Sequence, residues 1–298
     1  MSSTAPDAAI VLALLQRRHP GTTPASVVED ILAAGSMSAS WELRERETLT
    51  AEPDDEHLLA STIDELQEWS ALGIATQAFT ESAYPQELLS VHDLPPVVWA
   101  RGSLDPLDAA VSVVGTRAPS EWGRAFARAV AQSLAETGIT VVSGLAAGID
   151  TEAHVGALEA GGRTVAVLGT GISHSYPREN AKLQERIAAE GLVLSQFRPE
   201  QGPTRWTFPQ RNITMSGYSR ASIVVEATEH SGTRIQGRVG LAHGRPVILS
   251  STVVAKTAWA ADLAGRPGVH VAESAAEAVE IAVAIAGARC TQLDRVLA

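Results

Sequence analysis

The chain has 298 residues, 45% of them hydrophobic and 19% charged, which excludes a disordered protein and suffices for a sizeable core without disulfide staples. Its one cysteine, Cys290, cannot form an internal disulfide or a cysteine-built zinc site, so the composition fits a reducing cytoplasm. The formal charge of -11 is unevenly spread: residues 1–109 hold 5 basic against 18 acidic groups, residues 110–250 hold 14 against 11, and residues 251–298 hold 4 against 5.

Residues 1–70 read as a small helical domain, with apolar stripes at Ile10, Leu14 and Leu15, at Val27, Val28, Ile31 and Leu32, and at Leu58, Leu59, Ile63 and Leu66. A Gly/Pro/Thr break at 20–24 and a charged stretch at 42–56 separate these helices. The apolar run 8–15 follows Asp7 and precedes Arg17 and Arg18, the reverse of a signal peptide. No uncharged apolar stretch approaches the roughly 20 residues that cross a bilayer, so no membrane span is expected. Residues 71–109 carry Pro85, Pro95, Pro96 and Pro106 between short apolar runs. That suits a connector able to add an edge strand, and the domain boundary is placed there.

From Val111 onward, β-branched runs alternate with helical segments. Strands are predicted at 111–114, 139–142, 164–168, 192–195, 222–226 and 247–249, with a helix at 124–136 capped by Ser120 and closed by Gly138. Nearly continuous apolar strands separated by helices imply a mainly parallel sheet covered on both faces. Residues 110–298 therefore read as a doubly wound, Rossmann-like α/β domain that ends on an Ala/Val-rich helix at 275–286.

In such a sheet, ligands bind outside the carboxyl ends of the strands. Those ends read Gly115-Thr116-Arg117, Ser143-Gly144 followed by Gly148, Gly169-Thr170-Gly171, Gln196-Phe197-Arg198, Ala227 leading to Ser231-Gly232-Thr233, and Ser250-Ser251-Thr252. Glycine lets backbone N–H groups approach a ligand, hydroxyls add donors, and the following helix N-termini favour negative charge. One such loop is an ordinary tight turn, but four with Gly beside Ser or Thr point to anion binding. Neither G-x-G-x-x-G nor a Walker-type loop is present, and Lys182 and Lys256 are the only lysines. Phosphate recognition must then rest on backbone and on Arg117, Arg178 and Arg211, whose planar forks grip phosphate at two points. Each of the three could instead pair with a surface carboxylate.

Other chemistry is sparse. The eight histidines show no metal-binding spacing, and Ser143 lacks the surroundings of a nucleophile elbow. Asp150 and Glu226 are candidate carboxylates, though Asp150 could simply cap a helix and Glu226 could orient a loop. Trp206 and Phe208 could stack on bases or pack on the sheet edge.

Six stretches taken together carry a resemblance: Val114-Gly115-Thr116-Arg117; the run 143–150 with Ala153-His154; the run 161–169; Tyr176-Pro177-Arg178-Glu179-Asn180; Phe208-Pro209-Gln210-Arg211-Asn212; and Ser231-Gly232-Thr233. In order and spacing across about residues 70–250, the chain resembles the DprA/Smf family of DNA-processing proteins. The resemblance implies a cytoplasmic homodimer that binds single-stranded DNA, protects it and loads a RecA-type recombinase in natural transformation. It implies neither cofactor nor catalysis. By position it carries DNA-pocket roles to Arg117 and Arg178, with Gly115, Ser143, Gly144, Gly169, Asn180 and Asn212 in the surrounding loops. Three departures stand out: Ala147 and Ile213 occupy positions that are usually basic, and Ser250-Ser251 replaces a Pro-Gly turn. The winged-helix module of many members is not expected after Ala286.

Two other functions fit the same strand ends. A nucleotide-sensing module would use the Gly/Ser/Thr edge for a mononucleotide. An enzyme like the LOG nucleotide phosphoribohydrolases would need a catalytic glutamate where this chain has Gln236, and an amide cannot exchange a proton as a carboxylate does.

Overall fold

The β-branched runs after Val111 pair side by side because each is apolar on both faces and so needs cover on both. In the computed structural model, which describes residues 6–17, 22–47 and 55–297, they belong to one nine-stranded sheet. Its strands are β1 (Ala75–Ala78), β2 (Val97–Gly102), β3 (Ala110–Val114), β4 (Thr140–Ser143), β5 (Thr164–Val167), β6 (Leu192–Ser195), β7 (Ala221–Val224), β8 (Val247–Ser250) and β9 (Val269–Ala272). The order across the sheet is β1-β2-β6-β5-β4-β3-β7-β8-β9. Strands β3 to β9 are mutually parallel, while β1 and β2 pair antiparallel at the β6 edge.

Helices α1 (Asp7–Gln16), α2 (Pro24–Ala34), α3 (Met37–Glu47) and α4 (Asp55–Ala71) precede the sheet. Parts of the two breaks read between them, at 18–21 and 48–54, lie outside the described residues. The crossovers are α5 (Glu121–Glu136), α6 (Ile149–Glu159), α7 (Ala181–Glu190), α8 (Thr207–Tyr218), α9 (Thr233–Ala242), α10 (Ser251–Lys256) and α11 (Ala258–Ala264), and α12 (Ala275–Leu297) closes the chain. Among the described residues no helix is long and apolar enough to cross a membrane.

Side chains of β3 alternate between two cores, as the two-residue strand period requires. Val111 and Val113 face Phe126, Val130 and Leu134 of α5 and an alanine-rich surface of α6 and α12; Ala110 and Val114 face the opposite cluster, which runs without a break into Val11 and Leu14 of α1. The proline-rich segment 71–109 is fastened as firmly. Glu87 pairs with the buried Arg220 (2.9 Å) and Arg245 (3.0 Å), and Asp108 accepts from Arg163 Nε (2.9 Å) and the Tyr218 hydroxyl (2.8 Å). Segment 71–109 thus shares one core with the sheet that it extends.

Strand β9 was not legible in the sequence. Its Val-His-Val-Ala run is short, half-exposed and polar at His270, the signature of an edge rather than of a buried strand.

Candidate functional site

Strand β3 is flanked by β4 on one side and β7 on the other, and the chain reverses its winding there. Loops leaving adjacent strands at such a point diverge to opposite faces of the sheet and leave a crevice. A cleft of about 420 Å³ occupies it. Its walls are Gly115, Thr116 and Arg117 after β3, Ala146 and Asp150 after β4, Phe208, Pro209, Arg211 and Asn212 on α8, and Ser231, Gly232, Thr233, Ile235 and Gln236 at the start of α9.

Helices α6, α8 and α9 begin beside this cleft, and their N-cap residues Gly148, Trp206 and Gly232 make no side-chain cap hydrogen bond. The dipoles of three helix N-termini at one cleft favour an anion. Two buried side-chain atoms of the lining, Ser231 Oγ and Gln236 Oε1, have no hydrogen-bond partner among the described residues. Such atoms are completed by a ligand or by water.

The two cleft arginines differ in kind. Arg117 is exposed, its guanidinium 5.7 Å from the Phe208 ring centre, and it forms no ion pair among the described residues. Arg211 is buried, with Nε donating to Asn212 Oδ1 and Nη1 to the Val167 carbonyl, both at 3.1 Å. Burial pushes its pKa down, Asp150 opposes this, and the like charge of Arg117 adds to the fall. Asp150 in turn is pushed up by burial and held back by Arg211 and by backbone donors.

Asp150 does not cap α6, whose N-cap is Gly148. Its Oδ2 instead accepts from the N–H groups of Gly144 (3.1 Å) and Ala146 (3.3 Å), which braces the β4–α6 loop. One turn along α6, His154 is wholly buried. Thr164 Oγ1 donates to the Val141 carbonyl (2.7 Å), so His154 Nδ1 must be the donor to that hydroxyl (2.7 Å), and Nε2 is left as a lone pair. Burial, followed by Arg211, pushes the His154 pKa down to about 3, and the ring is neutral.

Two glycines are demanded by the geometry. A Cβ at Gly144 would lie 1.5 Å from Arg211 Nη1, and Gly148 has φ +84° with a would-be Cβ 2.5 Å from the Thr116 carbonyl. Both let neighbouring backbone or the arginine close on the loop.

Of the residues predicted from the strand ends, Gly115, Thr116, Arg117, Arg211, Asn212, Ser231, Gly232 and Thr233 line the cleft. Others build its frame. Ser143 Oγ donates to the Val113 carbonyl (2.7 Å); Asn180 Nδ2 donates to the Leu145 carbonyl and Thr151 Oγ1 (both 2.9 Å); the Thr170 carbonyl accepts from Ser195 Oγ (2.7 Å). Gly169 lies against the Phe208 ring and Gly171 against the Arg198 carbonyl. Arg178 is exposed on a 3₁₀ turn (Arg178–Asn180) and is not part of the lining. Glu226 accepts from the N–H (2.9 Å) and hydroxyl (3.0 Å) of Ser120, the N-cap of α5, so it orients a loop. Sequence reading missed Met215 and Ile235, the latter 40% exposed two residues after Thr233.

Fold and cleft together define an α/β protein with an extended Rossmann-like sheet and an arginine-bearing, anion-receptive crevice at its switch point. The chain belongs to the DNA recombination-mediator protein A family, whose model matches residues 75–285. It is 43% identical over 169 residues to protein Smf of Synechocystis, a match spanning 55% of this chain but only 42% of that relative's length. The structure of DNA processing protein A (DprA) from Streptococcus pneumoniae superposes with a TM-score of 0.65, 27% identity and coverage of 93% of each chain. A structure of the Helicobacter pylori DNA processing protein A, concerned with its single-stranded DNA binding mode, shares the fold with a TM-score of 0.61 and 22% identity, covering 71% of this chain and 96% of that one.

Proposed function

We propose that the switch-point cleft binds the phosphate backbone of single-stranded DNA, and that the protein delivers this strand to a RecA-type recombinase. The observation that carries the reading is the exposed guanidinium of Arg117, which has no ion pair among the described residues, beside the N-termini of α6 and α9, with Arg211 and its counter-charge Asp150 behind it. Arg211 is buried and opposed by the nearby Asp150, so Arg117 supplies the exposed charge, and the Phe208 ring beneath it offers a base-stacking face. Family membership supports the DNA ligand, and the resemblance supports a homodimer and the recombinase partner. Gln236 in place of a catalytic glutamate, together with the absence of a lysine-bearing P-loop, supports binding without catalysis.

The volume of the cleft favours one second reading, a mononucleotide sensor, because about 420 Å³ falls in the range of small-molecule sites. Fluorescence anisotropy separates the two. Single-stranded oligonucleotides should bind better than duplex or nucleoside monophosphates, and log affinity should fall with log salt by about 0.7 per phosphate neutralised. Arg117→Ala should weaken binding roughly tenfold, the loss of one charge-assisted contact of about 1.5 kcal/mol, while the exposed Arg186→Ala should change nothing. Equal affinity for a monophosphate and a long strand, or unchanged binding by Arg117→Ala, would overturn the proposal.

A further inference from the structure

Outside the cleft lining, three donors meet that the chain brings from two distant places in the sequence. His92 and Asp93 follow the 3₁₀ turn Gln86–Ser90, and His243 is the residue after α9. His243 Nε2 lies 2.8 Å from Asp93 Oδ1, His92 Nε2 lies 3.9 Å from Asp93 Oδ2, and the ligand atoms of all three sit within 4.8 Å of one another. The two imidazoles stand edge to face, ring centres 5.5 Å apart. Donors bound to zinc at 2.0–2.2 Å in a tetrahedron are spaced about 3.3 Å apart, which the observed separations bracket.

Two further features go beyond a simple His–Asp ion pair. The other nitrogen of His243, Nδ1, is held at 3.1 Å by Ser216 Oγ on α8, the outer-sphere contact that fixes ring orientation in metal-ligating histidines. The site is also graded in exposure: the His243 side chain is 1% exposed, Asp93 33% and His92 71%. One anchor is rigid, and one arm is free to close from solvent. An ion pair alone would need no second histidine facing the same carboxylate.

From these contacts we infer that His92, Asp93 and His243 form a binding site for a divalent transition-metal ion of the zinc or cobalt type. Two imidazoles and a carboxylate select such ions over magnesium or calcium, which prefer all-oxygen ligands. The ion would pin the 86–93 segment to the end of α9, residues 150 apart in sequence, and α9 carries Thr233 and Gln236 of the cleft at its other end. The inference does not depend on the DNA-binding proposal.

The test uses the untagged full chain, stripped with a chelator and titrated with zinc and cobalt(II) chloride. Isothermal titration should show one equivalent binding at micromolar concentration, and cobalt should give visible absorption of a nitrogen- and oxygen-ligated ion. A hundredfold excess of zinc over its dissociation constant should raise the melting temperature by roughly 5–10 °C. His92→Ala, at an exposed position that should leave folding intact, should weaken binding at least tenfold; Cys290→Ser should have no effect, and magnesium should not compete. Absence of binding, a loss of less than tenfold in His92→Ala, or binding abolished by Cys290→Ser would each overturn the assignment.

Discussion

Replacing Arg211 by methionine separates what this residue does for the fold from what it does for a ligand. Its guanidinium gives hydrogen bonds to the Val167 carbonyl and Asn212 Oδ1, and it is the cation that holds down the pKa of the buried Asp150. Methionine fills much of the volume but offers neither donor nor charge. Each acceptor left buried without a partner costs about 1–3 kcal/mol, and the lost counter-charge adds to this until Asp150 takes up a proton. The expected destabilisation is roughly 2–5 kcal/mol, which for a chain of this size lowers the melting temperature by roughly 5–15 °C. Asp150→Asn in the same background should recover part of that loss, because the orphaned charge is then gone. Thermal melts at pH 7 of the parent, both single variants and the double variant complete the cycle. A melting temperature for Arg211→Met within a degree or two of the parent, or strictly additive losses, would refute the view of Arg211 as a buried structural cation.

Three further outcomes follow from the same geometry. Gly144→Ala places a methyl group where Arg211 Nη1 stands, so it should displace the guanidinium and lower both stability and single-stranded DNA affinity, read by melting and anisotropy; parent-like behaviour in both would show that Arg211 can vacate its seat freely. His154 takes a proton near pH 6.5 when unfolded but only near 3 when folded, so between these values the unfolded chain binds more protons and stability falls as pH drops. Urea midpoints of His154→Gln should therefore depend less on pH than the parent's across that window, and identical slopes would contradict the buried neutral ring. Purified protein should release no free base from nucleoside monophosphates; release that disappears in Asp150→Asn would reinstate a hydrolase.

Local chemistry was enough to read much of the architecture. Runs such as Val111 to Val114 can be stable only as strands covered on both faces, and Ser120 ahead of α5 is a cap whose N–H partner, Gly123, lies three residues on. The glycine-rich strand ends announced where the crevice opens, because chain reversal at a parallel sheet creates it there. Burial and partners, in contrast, were decided only by the tertiary fold. Arg117, Arg178 and Arg211 are indistinguishable as residue types after strands, yet one faces the cleft exposed beside the Phe208 ring, one lies exposed outside it and one is buried beside Asp150. The need for glycine at 144 comes from an arginine 67 positions later, and His92 meets His243 only because the 86–93 segment and α9 pack together. Sequence pattern encodes each segment's preference for water or core over a few residues. Contacts between segments far apart in the chain are set by the packing of the whole sheet, which no single segment contains.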